Sequence, residues 1–152
     1  MIELLLVIGI ISILASVVFV AINPGKQLGD ARNAQRRQDV NTLISAIYQY
    51  AIDNKGNLPP GIETATSCYQ AATQEICGAT TATSTNCVGL TNLSDLHFNQ
   101  KYLAGMPVDP SIAATNTNGS RYFVVKSANG RVTVCAPNAG QEQSAAVISV
   151  TR

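Results

Sequence analysis

Four cysteines, one histidine and nine carboxylates are the groups through which this chain could do covalent, metal or acid–base chemistry. Cys68, Cys77, Cys87 and Cys135 fit neither the Cys-x-x-Cys pair of a redox site nor the close paired spacings of a zinc site. Two disulfides are the better reading, and they place the domain in an oxidising space. Three connectivities are open. Cys68 with Cys77 and Cys87 with Cys135 is favoured, because the first closes a small loop and the second pins that region to a strand. His97 has no cysteine or acid at ligand spacing, so a surface or packing role is expected rather than metal binding or catalysis. Asp95 and Asp109 are accounted for by helix capping and turn formation. No nucleophile elbow, phosphate loop or metalloprotease helix is present in the sequence, and no metal, cofactor or enzymatic activity is expected.

The remaining carboxylate of note is Glu3, at the mouth of MIELLLVIGIISILASVVFVAI. From Leu4 to Ile22 run 19 residues whose only polar side chains are Ser12 and Ser16. As a helix they would be about 28 Å long, roughly one bilayer core. A secretory signal peptide would carry a basic n-region and a shorter apolar stretch, so a spanning helix is the better fit. Lys26, Arg32, Arg36 and Arg37 follow the span and would put the C-terminal side in the cytoplasm, against the cysteines. A basic leader preceding this sequence and since removed would reconcile the two.

The elements that must position these groups follow from periodicity. The chain of 152 residues carries a formal charge of +1 and only 12% charged residues, which leaves no strong electrostatic footprint for nucleic acid. Residues 1–22 read as the apolar helix, 23–25 as a break, and 26–152 as a disulfide-stapled globular head. Asn23-Pro24-Gly25 interrupts the first helix, since proline lacks the backbone donor and glycine loosens the next turn. Leu28, Ala31, Val40, Leu43, Ile44, Ile47 and Ala51 then recur at spacings of three and four over about 26–54, with Arg32, Arg36, Asp39 and Asp53 mostly on the other face and Gly56 as a stop. Arg32, Arg36 and Arg37 read as a basic patch, either a solvated face or one that meets acids of neighbouring domains.

Residues 61–89 read as irregular, with a Thr-rich tract over 79–86. A short helix is expected over Ser94 to Leu103, capped by Ser94 or Asn92 and ended by Gly105 and Pro107. Ser120–Lys126, Arg131–Ala136 and Ala145–Val150 read as three antiparallel strands, with Asn129-Gly130 turning the first hairpin. The fold class is α+β: a long N-terminal helix, apolar then amphipathic with its break at Pro24, packed on a small antiparallel β-meander. Asn92-Leu93-Ser94 and Asn118-Gly119-Ser120 match a glycosylation sequon, for which surface turns are the default.

IELLLVIGIISILA after a single glutamate, the proline-containing break, the amphipathic helix, the cysteine-closed loop, YLAGMPVDP and the terminal meander together resemble the bacterial type IV pilin superfamily, which includes the pseudopilins. The resemblance implies a structural subunit that leaves the inner membrane and polymerises with copies of itself, aided by an assembly machinery, into an extracellular pilus for adhesion, twitching motility or DNA uptake. The alternatives are a pseudopilin of a type II secretion or competence machine and a monomeric membrane-tethered binding module. In the family the glutamate is the fifth residue of the mature chain, so about two residues, with the cleavage and methylation site, are expected before Met1. Glu3 would then pair with the N-terminal amine of a neighbouring subunit and set the axial register. Gly9, Ser12, Ala15 and Ser16 would let helices approach closely, and Asn23-Pro24-Gly25 would mark a segment able to unwind in the fibre.

Overall fold

The computed structural model describes residues 2–21, 23–78, 87–111, 118–142 and 146–152, with side chains in the first helix as far as Val18. Helix α1 runs Ile2–Ala21 and α2 runs Pro24–Asp53. Asn23 is extended and its Oδ1 accepts the Lys26 N–H at 3.2 Å, while Pro24 takes the first helical position, where a missing N–H costs nothing. At the other end, Gly56 at φ +88° lets its N–H return to the Ala51 carbonyl at 2.7 Å, closing α2 where the sequence places its stop.

The sheet has four antiparallel strands in sequence order: β1 (Glu75–Cys77), β2 (Gly119–Lys126), β3 (Val132–Ala136) and β4 (Ile148–Thr151). The chain is thus α+β, with an N-terminal helix packed on a four-stranded antiparallel sheet. The hairpin between β2 and β3 turns at Gly130, φ +81°, as Asn129-Gly130 predicts. β1 falls in a region read as irregular, since three residues are too few to show alternation. β4 starts three residues later than expected; residues 143–145 lie outside the described part, as does the Thr-rich tract at 79–86.

Alternation along the strands divides the sheet into two faces. Tyr122, Val124, Val132, Val134 and Ala136 meet Val40, Leu43, Ile44 and Ile47 of α2 in one core, joined by Ile76, Leu93 and Leu96. Each of those aliphatic side chains contributes roughly 1.5–3 kcal/mol by leaving water. Phe123, Val125 and Cys135 point to the opposite face and are buried there too. Cys68 bonds to Cys135 on that face, and the Tyr69 ring meets Phe123 edge to face with centroids 4.9 Å apart.

This geometry corrects the favoured cysteine pairing. The bonds are Cys68–Cys135 and Cys77–Cys87, with no free cysteine among the described residues. Cys77 sits on edge strand β1, whose outer side is hydrogen-bonded to Thr91, and that pairing brings Cys87 alongside. Cys68 crosses the sheet face to which Cys135 points. The two bonds close loops of 67 and 10 residues, so loop entropy makes the first worth about 2 kcal/mol more than the second. Cys68→Ala with Cys135→Ala should therefore lower the urea midpoint more than Cys77→Ala with Cys87→Ala; the reverse order would show that the chain-entropy account fails here.

The short helix is shorter than its sequence suggests. α3 spans Ser94–His97, and a 3-10 turn at Phe98–Gln100 follows in which Asn99 and Gln100 adopt φ +53° and +55°. The left-handed pair reverses the chain so that the Tyr102 and Leu103 N–H groups both reach the Leu96 carbonyl, at 3.2 and 3.0 Å. Neither Ser94 nor Asn92 is the cap: Leu93 holds that position without a side-chain bond, and Asn92, one residue before it, accepts the Ser94 N–H through Oδ1 at 2.9 Å.

Candidate functional site: the apolar helix and the ionic cluster of the head

α1 is laid down with its side chains outward. Every described side chain is exposed except the half-buried Ala15, and Ile2, Leu4, Ile13 and Val17 each keep more than 60% of their surface. Both hydroxyls are satisfied within the helix, Ser12 donating to the Ile8 carbonyl and Ser16 to the Ile13 carbonyl, each at 2.7 Å. The serines therefore present no unmet donor to an apolar environment. A Cβ added at Gly9 would meet nothing within 4 Å. Glu3 occupies the first turn, where a carboxylate complements the free N–H groups of the helix start, and it is exposed. Among the described residues no helix is long and apolar enough to cross a membrane; the described side chains stop four residues short of Ile22.

At Gly25 a Cβ would make only an ordinary contact, 3.5 Å from Asn23 Oδ1. The start of α2 does not require glycine there.

The second feature was not legible as a site. The buried stripe of α2 runs Gly29, Asn33, Arg36, Val40, Leu43, Ile47, Ala51. Leu28 is 61% exposed and Ala31 also lies outside the stripe. Arg36, read as part of a basic surface patch, is fully buried. Its Nε and Nη2 donate to the two oxygens of Asp109 at 2.7 and 2.9 Å, and its Nη1 donates to Asn33 Oδ1 at 2.7 Å. Longer bonds from Nη1 and Nη2 reach Glu142 Oε1 at 3.4 Å. All five guanidinium donors thus have an acceptor. Arg32 completes the group, with Nη2 2.8 Å from Glu142 Oε2 and Nε 2.7 Å from Oε1. Arg37 remains exposed. Two arginines face two carboxylates, so the cluster is neutral and ties α2 to the PVDP turn and to the 3-10 turn that follows β3.

Asp109 does form the turn expected of it, accepting the Ser111 N–H at 2.8 Å and the Ser111 hydroxyl. Burial pushes its carboxyl up, but the Arg36 fork and Ser111 outweigh that and hold it below the usual carboxylate range. The hydrogen bond to Asp109 raises Arg36 despite its burial. One turn along α2, Asp39 accepts the Tyr122 hydroxyl at 2.7 Å, and burial pushes the Asp39 carboxyl up. Glu142 is held down by Arg32 first. Asp95 is exposed on α3 and His97 half-buried at its end; among the described residues no three His, Cys, Asp or Glu side chains gather as a metal site.

The signal for Arg36 was in the spacing. It stands four residues before Val40 and seven before Leu43, on the face that becomes core, and Asp109 stands in the one stretch where two prolines bracket an acid. Compared with known proteins, the chain matches no family profile, no curated protein and no solved structure.

Proposed function

We propose that this chain is a structural subunit, a major pilin, that polymerises through its apolar N-terminal helix into an extracellular type IV pilus. The observation that carries the reading is α1: a helix of 20 residues whose described apolar side chains have no partner surface within the chain. Leaving that surface in water costs about 25 cal/mol per Å², so the helix needs lipid before assembly and copies of itself afterwards. The 19-residue apolar run read from the sequence provides the membrane span. The two disulfides suit a head outside the cytoplasm. Open space at Gly9 and internally bonded serines suit close helix packing. Gly25, not demanded by the capped start of α2, suits a segment that unwinds when helices slide.

In this reading the subunit is held in the inner membrane, handed to the assembly machinery and carried to the cell surface. Electron microscopy of material sheared from cells should show fibres, and mass spectrometry of those fibres should return this chain as their bulk. Absence of surface fibres together with a secretion or DNA-uptake defect on deletion would replace the pilus with a pseudopilus.

A further inference from the structure

A cleft of about 440 Å³ opens on the sheet face away from α2, lined by Tyr69, Gln70, Glu75, Arg121 and Phe123. Two of these hold backbone conformations that L residues rarely adopt: Tyr69 at φ +67° and Arg121 at φ +63°. Both belong to bulky residues, and both face the same opening. Strain of this kind persists only where neighbours impose it, and it gathers at binding sites.

The neighbours are visible. Tyr69 follows Cys68, which is bonded to Cys135, and it precedes Gln70, whose N–H donates at 2.9 Å to Oε1 of the buried Gln74. The Tyr69 ring rests edge to face on Phe123 yet stays 61% exposed. Arg121 sits in a bulge of β2: Glu75 pairs with Phe123 but Cys77 with Gly119, so β2 spends two extra residues there. Such a bulge re-aims a side chain. The Arg121 N–H donates to Glu75 Oε1 at 2.9 Å, and a Cβ at Gly119 would run into that carboxylate. The Arg121 guanidinium reaches Glu75 only through Nε at 4.0 Å. Among the described residues its two Nη groups and the Tyr69 hydroxyl have no partner.

We propose that this cleft binds a saccharide, with Tyr69 as the stacking platform and Arg121, Glu75 and Gln70 as the polar rim. The apolar C–H face of a pyranose suits an exposed, rigidly held aromatic ring, while its hydroxyls suit donors and acceptors set side by side. A free phosphate or nucleic acid is disfavoured, because the one arginine stands beside a carboxylate. A peptide adding a strand is disfavoured, because the outer side of β1 is already bonded to Thr91. The assignment does not depend on polymerisation.

The test is binding to the full chain in a detergent without a sugar headgroup. Methyl glycosides of galactose, N-acetylglucosamine and glucuronate serve as probes, followed by NMR line broadening of the sugar. At least one should bind at millimolar concentration or tighter. Tyr69→Ala should weaken that binding tenfold or more, Tyr69→Phe should retain it, and Arg121→Ala should weaken it severalfold, most for glucuronate. Near-ultraviolet circular dichroism checks that each variant stays folded. No binding by any of the three probes, binding that survives Tyr69→Ala in a folded protein, or capture of an extended peptide at this cleft instead would overturn the proposal.

Discussion

Replacing Asp109 with alanine should cost the head about 3–5 kcal/mol, because it strips the counter-ion from a fully buried guanidinium. The fork has no other carboxylate at short range: Glu142 Oε1 lies 3.4 Å away and is engaged by Arg32. Arg36→Ala should cost a similar amount, leaving Asp109, among the described residues, with only Ser111 as a side-chain partner. The double variant Arg36→Met with Asp109→Leu should recover most of the loss, since two apolar side chains of comparable volume remove both charges together. Urea unfolding followed by tyrosine signals measures all three; the chain has five tyrosines and no tryptophan. A double-variant loss equal to the sum of the two single losses would mean that the two side chains act as independent packing.

Acid should act on the same pair. Asp109 has a folded pKa below its unfolded value, so its contribution is complete above the ordinary carboxylate pKa, near 4, and is lost as pH falls through the lowered value. Asp39 runs the other way: its folded pKa is raised, so protonation as pH falls through that raised value favours the folded state. Below about pH 4 the wild type should lose stability with a slope that Asp109→Asn flattens. Asp39→Asn should act above that limb, removing the gain in stability that sets in as pH falls through the raised Asp39 value towards about 4.

Under the proposed pilin function, the second large effect is expected at Glu3. An unpaired carboxylate carried into the apolar core of a fibre costs several kcal/mol, and pairing with a cation from a neighbouring copy removes that cost only in the correct register. Glu3→Gln keeps the size and polarity of the side chain and removes the charge. It should leave the head folded with its two disulfides and the chain in the membrane, yet abolish fibres on the cell surface. Fibres of normal abundance and length from Glu3→Gln would remove the register role from this residue.

Much of the architecture was legible because periodicity reports directly on burial. Val40, Leu43, Ile44 and Ile47 mark the core face of α2, and SRYFVVK, Asn129-Gly130 and RVTVCA mark a hairpin. The misreadings share a cause. Arg36 was assigned to the surface by its charge although its position in the stripe put it inside, and only the fold supplies the acid, 73 residues on, that makes burial tolerable. The cysteine pairing failed likewise: sequence distance favoured neighbours, whereas the face to which Cys135 points decided for Cys68. Glu75–Cys77 and the bulge at Arg121 are too local for any pattern to register.

The ionic cluster also has a mechanical consequence. Among the described residues, the first side-chain bond from α2 to the rest of the fold is Arg32 to Glu142, followed one turn later by Arg36 to Asp109. A pull transmitted down α1 and through the capped start of α2 would load these bonds before it reached Val40 and the apolar contacts behind it. Hydrogen bonds weaken steeply once their angle is distorted, whereas apolar contacts are non-directional and re-form as surfaces slide. The cluster would therefore take the first load at the entry of the helix into the head, ahead of the apolar core behind it.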